Sequence, residues 1–510
     1  MKRSMLVATA TAAAVAFAAG GTLSAGAFLA APKPAQAKPA VDACAALTGA
    51  SLTNGGKITS AVSVAADAAK GTPAYCEATG ALSPTAGSTI GVVFRLPVNW
   101  NGKMLGIGGG GWAGNLRLEA AMEGLNHGYA TAQTDGGHSS VSPWDTAWAS
   151  NPESITDFSY RAVHLTSVVG KEVVAAYYGK PQEKAYFQGC STGGRMGLME
   201  VQRFPDDYDA VIAGAPVYNL LVQTSAVVRN NIFAGPGAGF TPAQLSLVNQ
   251  AVLKSCDAKD GLEDGLIADP RACAWDPAEI QCKAGAAPSD QCLGEGQVAA
   301  LRQLYGGVNL ISGPVAAWPL AKGGEPGWSM FIQTSGVGKD ATNGGGLGGL
   351  RGPILGDPDF DMAKFNPDTD IARVRTSAFA HGYEANDPAI GAFLARGGKL
   401  LMWHGWSDPG PSPYGTISYY KQVAGSEPKA ADGVRLFMAP GVYHCGGGPG
   451  PDQIDTLTAL DQWVKTGVAP ETLLATKRNA KISRPLCAFP KKAAYKGSGD
   501  PDDAANFTCG

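Results

Sequence analysis

Residues 185–203 read AYFQGCSTGGRMGLMEVQR. The run AYFQ has the length and aromatic content of a short buried strand. Residues 193–203 read as a helix. Between them, Gly189-Cys190-Ser191-Thr192-Gly193 is the only G-x-S-x-G match in the chain. With 69 glycines in 510 residues the pattern alone is weak, and its setting is what strengthens it. A strand leading in and a helix leading out make the sharp turn of a nucleophile elbow, which lifts the Ser191 hydroxyl clear of the backbone. The plain alternative is a glycine-rich turn with an ordinary serine.

Outward from this stretch the pattern alternates. Strand-like runs occur at 89–96 (TIGVVFRL), 103–107 (KMLGI), 129–133, 210–213, 399–403 (KLLMW) and 435–438 (RLFM). Helical spacing occupies 160–178 and 453–466. Strands separated by helices predict an α/β protein with a mostly parallel sheet covered on both faces. With the elbow, this is the α/β-hydrolase fold. From about 217 to 380 the alternation breaks down. That region carries four cysteines, an acidic cluster and the flexible run GVGKDATNGGGLGGLRG, and it reads as a large inserted lid domain between core strands. The expected organisation is a catalytic core over 38–216 and 381–510, with the lid at 217–380.

A net charge of −3, with only 16% charged residues, excludes a broad basic face for nucleic acid. Lys2 and Arg3 precede an uncharged stretch from Ser4 to Ala31, and a small-x-small ending, Ala35-Gln36-Ala37, follows it, so residues 1–37 are expected to be a signal peptide cut after Ala37; a retained anchor is the other reading. With the signal removed, no membrane association is expected, and the protein is placed outside the cell or in the periplasm. All ten cysteines follow the expected cut, and an even count in an exported chain favours disulfides. Their number and spacing leave the pairing open.

A serine nucleophile needs a base, and this architecture dictates the chain order serine, acid, histidine. Of the six histidines, only His381, His404 and His444 follow Ser191. His444 lies in a loop directly after the strand RLFMA. Asp408 lies just beyond KLLMW, where its carboxylate can hold the His444 tautomer. His404 competes as base but precedes the best acid, and reads as a pocket residue. For the oxyanion hole, one donor is the N–H of Thr192 and the other comes from the Gly108–Gly111 run after KMLGI, with Gly110 or Gly111 as candidate.

Cys190-Ser191, Asp408 and His444-Cys445 together resemble the Cys-Ser, Asp and His-Cys arrangement of the tannase/feruloyl esterase family of α/β-hydrolases. FRLPVNWNGK, GGGGW, GCSTGG, RFPDDYDAVIAGAP, HGWSDP and YHCGGGPGPD extend the resemblance over nearly all the chain after about residue 43. The resemblance implies a Cys190–Cys445 disulfide, and pairing nearest neighbours among the rest then gives Cys44–Cys76, Cys256–Cys273, Cys282–Cys292 and Cys487–Cys509. It also implies a structural Ca²⁺ held by the carboxylates of Asp257, Asp260 and Asp264 and the carbonyls of Leu262 and Leu266; a solvated acidic turn is the alternative. The implied activity is hydrolysis of small aromatic-acid esters, feruloyl or galloyl, through an acyl-enzyme. A terephthalate mono-ester substrate and a catalytically silent module binding phenolics or glycans are the alternatives. Trp318, Trp328, Phe331, Arg351, Trp406 and Tyr414 are candidates to contact the aromatic acid. HGWSDP continues here as GPSPYG, a departure from the family's more apolar run beside the acid pocket.

Overall fold

In the computed structural model, ten strands share one sheet: β1 (Ser51–Leu52), β2 (Gly56–Val64), β3 (Tyr75–Leu82), β4 (Ile90–Pro97), β5 (Lys103–Ile107), β6 (Ala130–Thr134), β7 (Lys184–Cys190), β8 (Ala210–Gly214), β9 (Lys399–Gly405) and β10 (Val434–Ala439). Their order is β1-β2-β3-β4-β6-β5-β7-β8-β9-β10. From β6 to β10 every pairing is parallel, and from β1 to β4, and on to β6, antiparallel. The structure describes residues 42–140, 142–335 and 347–510, and Asp42–Gly510 is one compact unit. The signal-peptide reading, and residues 336–346 of the glycine-rich run, fall outside the described residues.

Period-two alternation explains why both faces are covered. In β9, Leu400 and Met402 enter one hydrophobic cluster while Leu401 and Trp403 enter another. Phe187 and Val211 face the first side, Tyr186 and Ile212 the second. On the first side pack α1 (Ala162–Tyr178), through Val163, Leu165, Val169 and Val173, and α2 (Thr192–Arg203), through Met196, Leu198 and Met199. On the second side packs the helix Thr456–Thr466, with Leu457, Leu460 and Trp463 inward. That helix starts three residues later than its spacing suggests, because the Asp455 side chain caps it by accepting from the Thr458 N–H.

Two departures from the sequence reading have local causes. β2 was not foreseen: it is polar and largely exposed, and the apolar alternation that marks a strand is weak there. Over its described residues the segment 217–380 is regular rather than patternless. It holds α3 (Leu221–Phe233) and the helices Pro242–Cys256, Glu295–Gly306, Pro367–Arg375 and Ala378–Tyr383. Two of these open with proline at the first turn behind a Thr241 or Asn366 cap, so residues that read as loop punctuation are helix starts. The segment builds one core around Phe233, Val248 and Trp328, and its Leu221, Ile354 and Phe379 share another with Trp112, Trp148 and Phe158. All ten cysteines are paired, as 44–76, 190–445, 256–273, 282–292 and 487–509.

Candidate active site

Three chain segments deliver Ser191, Asp408 and His444 to one rim of the sheet, beyond the C-terminal ends of β7, β9 and β10. Ser191 has φ 63° and ψ −124°, a conformation an L-residue holds only when its surroundings enforce it. Glycines make room for that turn. A Cβ on Gly189 would lie 2.4 Å from the Gly193 carbonyl carbon, and one on Gly108 2.4 Å from the Gly193 Cα. Backbone bonds fix the turn: Ser191 N–H donates to the Gly214 carbonyl and Arg195 N–H to that of Ser191, each at 3.0 Å.

The Ser191 Oγ is 2.8 Å from His444 Nε2, and His444 Nδ1 is 2.7 Å from Asp408 Oδ2. The other Asp408 oxygen accepts from the Gly410 N–H at 2.8 Å. Burial pushes the Asp408 carboxyl up, but the charge of His444 and the hydrogen bonds of His404 and His444 outweigh it and hold it at about 2. His404 stands behind Asp408, fully buried, with Nε2 3.1 Å from the same Oδ2 and Nδ1 2.8 Å from Thr416 Oγ1. It therefore braces the acid and makes no hydrogen bond to the serine. Cys190 and Cys445, each a chain neighbour of Ser191 or His444, are disulfide-bonded with Cα atoms 5.9 Å apart.

The glycine loop lies against the start of α2, where Thr192 Oγ1 donates to the Gly111 carbonyl at 2.5 Å. Gly108 N–H donates to Gln188, Gly109 N–H contacts the Met196 sulfur, and Gly110 N–H donates to Ala113. Gly110 is thus spent on a turn, whereas the Gly111 N–H donates to no group among the described residues. Gly111 has φ 59°, and a Cβ there would meet the Pro143 carbonyl oxygen at 2.3 Å; at Gly110 it would meet nothing.

A cavity opens at Ser191 and His444, walled by Trp112, Trp144, Val222, Phe331 and Pro411. Phe331 stands edge-on to the His444 ring at 5.0 Å, and Trp144 edge-on to Phe331 at 6.0 Å. Of the six residues foreseen as contacts for an aromatic acid, only Phe331 lines this cavity. Trp328 is buried between Phe233 and Tyr305, Trp406 packs on Tyr414, the Trp318 carbonyl accepts from Arg229, and Arg351 donates to the Phe360 carbonyl. Trp112 and Trp144 were missed; Trp112 stands directly after the glycine run and was the legible one of the two. A broader groove, in which Asn115, Arg117, Ser139, Ser140 and Ser142 stand beside Ala113, Leu116, Pro143 and Trp144, adjoins the serine on another side.

Asp257, Asp260 and Asp264 share the loop closed by Cys256–Cys273. Burial, reinforced by the charges of Asp264 and Asp257, pushes Asp260 up to about 6, and burial also raises Asp257. An all-oxygen donor set under that strain suits a hard cation. In this arrangement, however, Asp264 Oδ2 pairs with Arg484 at 2.7 Å, and Asp257 accepts from the Asp264 and Gly265 N–H groups. Among the described residues, the only His, Cys, Asp or Glu group converging within 4.8 Å is His164, Glu200 and Asp207, which could hold a metal ion. His164 Nδ1 lies 2.6 Å from Asp207 Oδ2, and burial and then Asp207 drive Glu200 well above the usual carboxylate range.

A strained serine, a histidine and a buried aspartate, linked in that order on an α/β sheet, define a hydrolase-like site. Residues 76–510 match the family model for tannase and feruloyl esterase. The chain is 34% identical over 519 residues to mono(2-hydroxyethyl) terephthalate hydrolase of Piscinibacter sakaiensis, covering 86% of this chain and 85% of that one. It is 32% identical over 445 residues to feruloyl esterase B of Aspergillus niger, covering 81% and 82%. The crystal structure of feruloyl esterase B from Aspergillus oryzae superposes with a TM-score of 0.81 at 27% identity, over 92% of this chain and 99% of that one. The chain belongs to the tannase and feruloyl esterase family and is a carboxylic ester hydrolase with the α/β-hydrolase fold. Its five disulfides fit an oxidising, extracytoplasmic compartment. Among the described residues no helix is long and apolar enough to cross a membrane.

Because the 190–445 bridge ties the serine loop to the histidine loop, breaking it should act on rate. A displacement near 1 Å costs about 10²-fold in turnover. The double variant Cys190→Ala/Cys445→Ala is expected to lose about that much kcat for ester hydrolysis with near-native circular dichroism. Cys487→Ala/Cys509→Ala is expected to lower Tm and keep kcat. Full kcat in the first variant would remove the positioning role of the bridge.

Proposed function

We propose that Ser191 is the nucleophile, His444 the general base and Asp408 the acid of an acyl-enzyme mechanism on aromatic-acid esters. The observation that carries this reading is the Ser191–His444–Asp408 relay, at 2.8 and 2.7 Å, opening into a cavity walled by aromatic rings. His444 Nε2 takes the Ser191 proton as Oγ attacks the ester carbonyl, while Nδ1–H donates to Asp408. An aspartate held at about 2 stays ionised at working pH and stabilises the imidazolium. The tetrahedral oxyanion is received by the Thr192 and Gly111 N–H groups. Its collapse breaks the bond to the alcohol oxygen, which takes the proton from His444. Water, deprotonated by His444, then attacks the acyl-enzyme and frees the acid and Ser191.

The aromatic acyl group takes the cavity of Trp112, Trp144 and Phe331, and the alcohol takes the broader groove. Residues 217–380 act as the lid, since Val222 and Phe331 of that segment supply cavity wall. The disulfides support a secreted or periplasmic location. A structural Ca²⁺ at Asp257, Asp260 and Asp264, with the Leu262 and Leu266 carbonyls, would neutralise the crowded carboxylates; its binding requires Asp264 to share or leave Arg484.

Ser191→Ala should abolish hydrolysis of methyl ferulate and methyl gallate and labelling by a serine-directed organophosphate; equal rates in variant and wild type would sink the assignment. Gly111→Ala is expected to lose at least about 10²-fold in kcat, and Gly110→Ala to stay within a few-fold; the reverse order would move the donor to Gly110. Chelation by EGTA should lower Tm, with Ca²⁺ restoring it, and an unchanged Tm with no bound metal by elemental analysis would leave the acidic loop to Arg484 alone.

A further inference from the structure

Arg229 lies in α3, inside the segment 217–380, and is 2% exposed. Among the described residues its hydrogen-bond partners are all carbonyls. Nη1 donates to Pro409 and Gly410 at 3.1 and 3.0 Å, and Nη2 to Trp318 at 2.9 Å, while Nε has no partner. A guanidinium held by carbonyls alone is expensive to bury. Burial pushes it down to about 10, and the charge of Asp408 acts against that.

Two of the three carbonyls follow Asp408 directly in the chain. The Pro409–Gly410 peptide is trans, so its oxygen and its N–H point in opposite directions. Arg229 holds the oxygen, and the N–H donates to Asp408 Oδ1 at 2.8 Å. One planar amide therefore connects a buried cation to the buried carboxylate. A cation on the oxygen polarises the amide and strengthens its N–H as a donor. Asp408 Oδ2 is the oxygen that meets His444, so the tilt of the carboxylate is set from the Oδ1 side.

Tethering alone does not need the charge. Ser407 Oγ donates to the Gly323 carbonyl at 3.4 Å and Ser412 Oγ to that of Pro319 at 2.8 Å, neutral ties from the same loop to the same segment. Arg229 forms no part of the cavity wall either. Resting on the reading of Asp408 as the acid, we propose that Arg229 is a positioning residue for the reaction: through the Pro409–Gly410 peptide it orients the Asp408 carboxylate towards His444 and supplies it with positive charge. The segment 217–380 thus contributes to the rate as well as to the wall of the cavity.

The test compares Arg229→Gln, which keeps amide donors for the carbonyls without the charge, with Arg229→Lys, which keeps the charge. The readouts are kcat and KM on the faster of methyl ferulate and methyl gallate, the rate of labelling by a serine-directed organophosphate, and Tm. Arg229→Gln should lower kcat and the labelling rate by about tenfold or more with KM within about threefold. Arg229→Lys should keep kcat within about threefold of wild type. In an Asp408→Asn background, Arg229→Gln should cost less than about threefold more. Wild-type kcat in Arg229→Gln, a loss confined to KM, a folded lysine variant as slow as the glutamine one, or equal losses with and without the Asp408 carboxylate would each overturn the proposal. Should Arg229→Gln fail to fold, Arg229→Lys decides by the same threefold limit. If Asp408→Asn itself keeps wild-type kcat, the reading of the acid fails, and this proposal with it.

Discussion

The backbone at Ser191 is the constraint on which the other features converge. An L-residue at φ 63° sits in a region that Cβ sterics disfavour, and the turn persists because it is held from every side. Strand β7 holds it before, α2 holds it after, the Gly214 carbonyl takes its N–H, and the glycine loop closes against it with no side chain between. In return, the serine hydroxyl reaches His444 Nε2 at 2.8 Å.

Electrostatics completes what the bend begins. A carboxylate with no solvent exposure is unfavourable by itself, and Asp408 is stabilised by two imidazoles and a backbone N–H. Division of labour between the histidines follows from depth. His444 reaches both the acid and the serine, whereas His404, fixed by Thr416 and the Pro411 carbonyl, reaches only the acid. One histidine links acid and serine, and the other holds the acid in place.

Much of this was legible in the sequence because it rests on local pattern. The central strands from β4 onward, the elbow, and the order Ser191, Asp408, His444 all follow from short apolar runs and from what must come next along the chain. Asp257, Asp260 and Asp264 were visible as a cluster, but the ion pair Asp264–Arg484 joins residues 220 positions apart and no local pattern announces it. The choice of Gly111 over Gly110 depends on where one N–H goes, which spacing does not encode. Aromatic residues were the least legible: Trp328 and Phe331 are three positions apart, yet one is buried in a core of the 217–380 segment and the other meets His444, because neighbouring elements rather than sequence decide which ring faces the cavity.

The connectivity of the cysteines has a consequence for how the chain matures. Four of the five bridges join partners separated by 10 to 32 residues, short enough to close soon after both have emerged. Cys190 must instead wait 255 residues, while Cys256, Cys273, Cys282 and Cys292 come past it first. Each is a chemically competent wrong partner for a waiting thiolate. Vectorial oxidation therefore works against the one link that joins the serine and histidine loops. A polypeptide could close every other bridge, build most of its sheet and still be inert, so the yield of active molecules depends on thiol–disulfide reshuffling in the compartment where the chain folds.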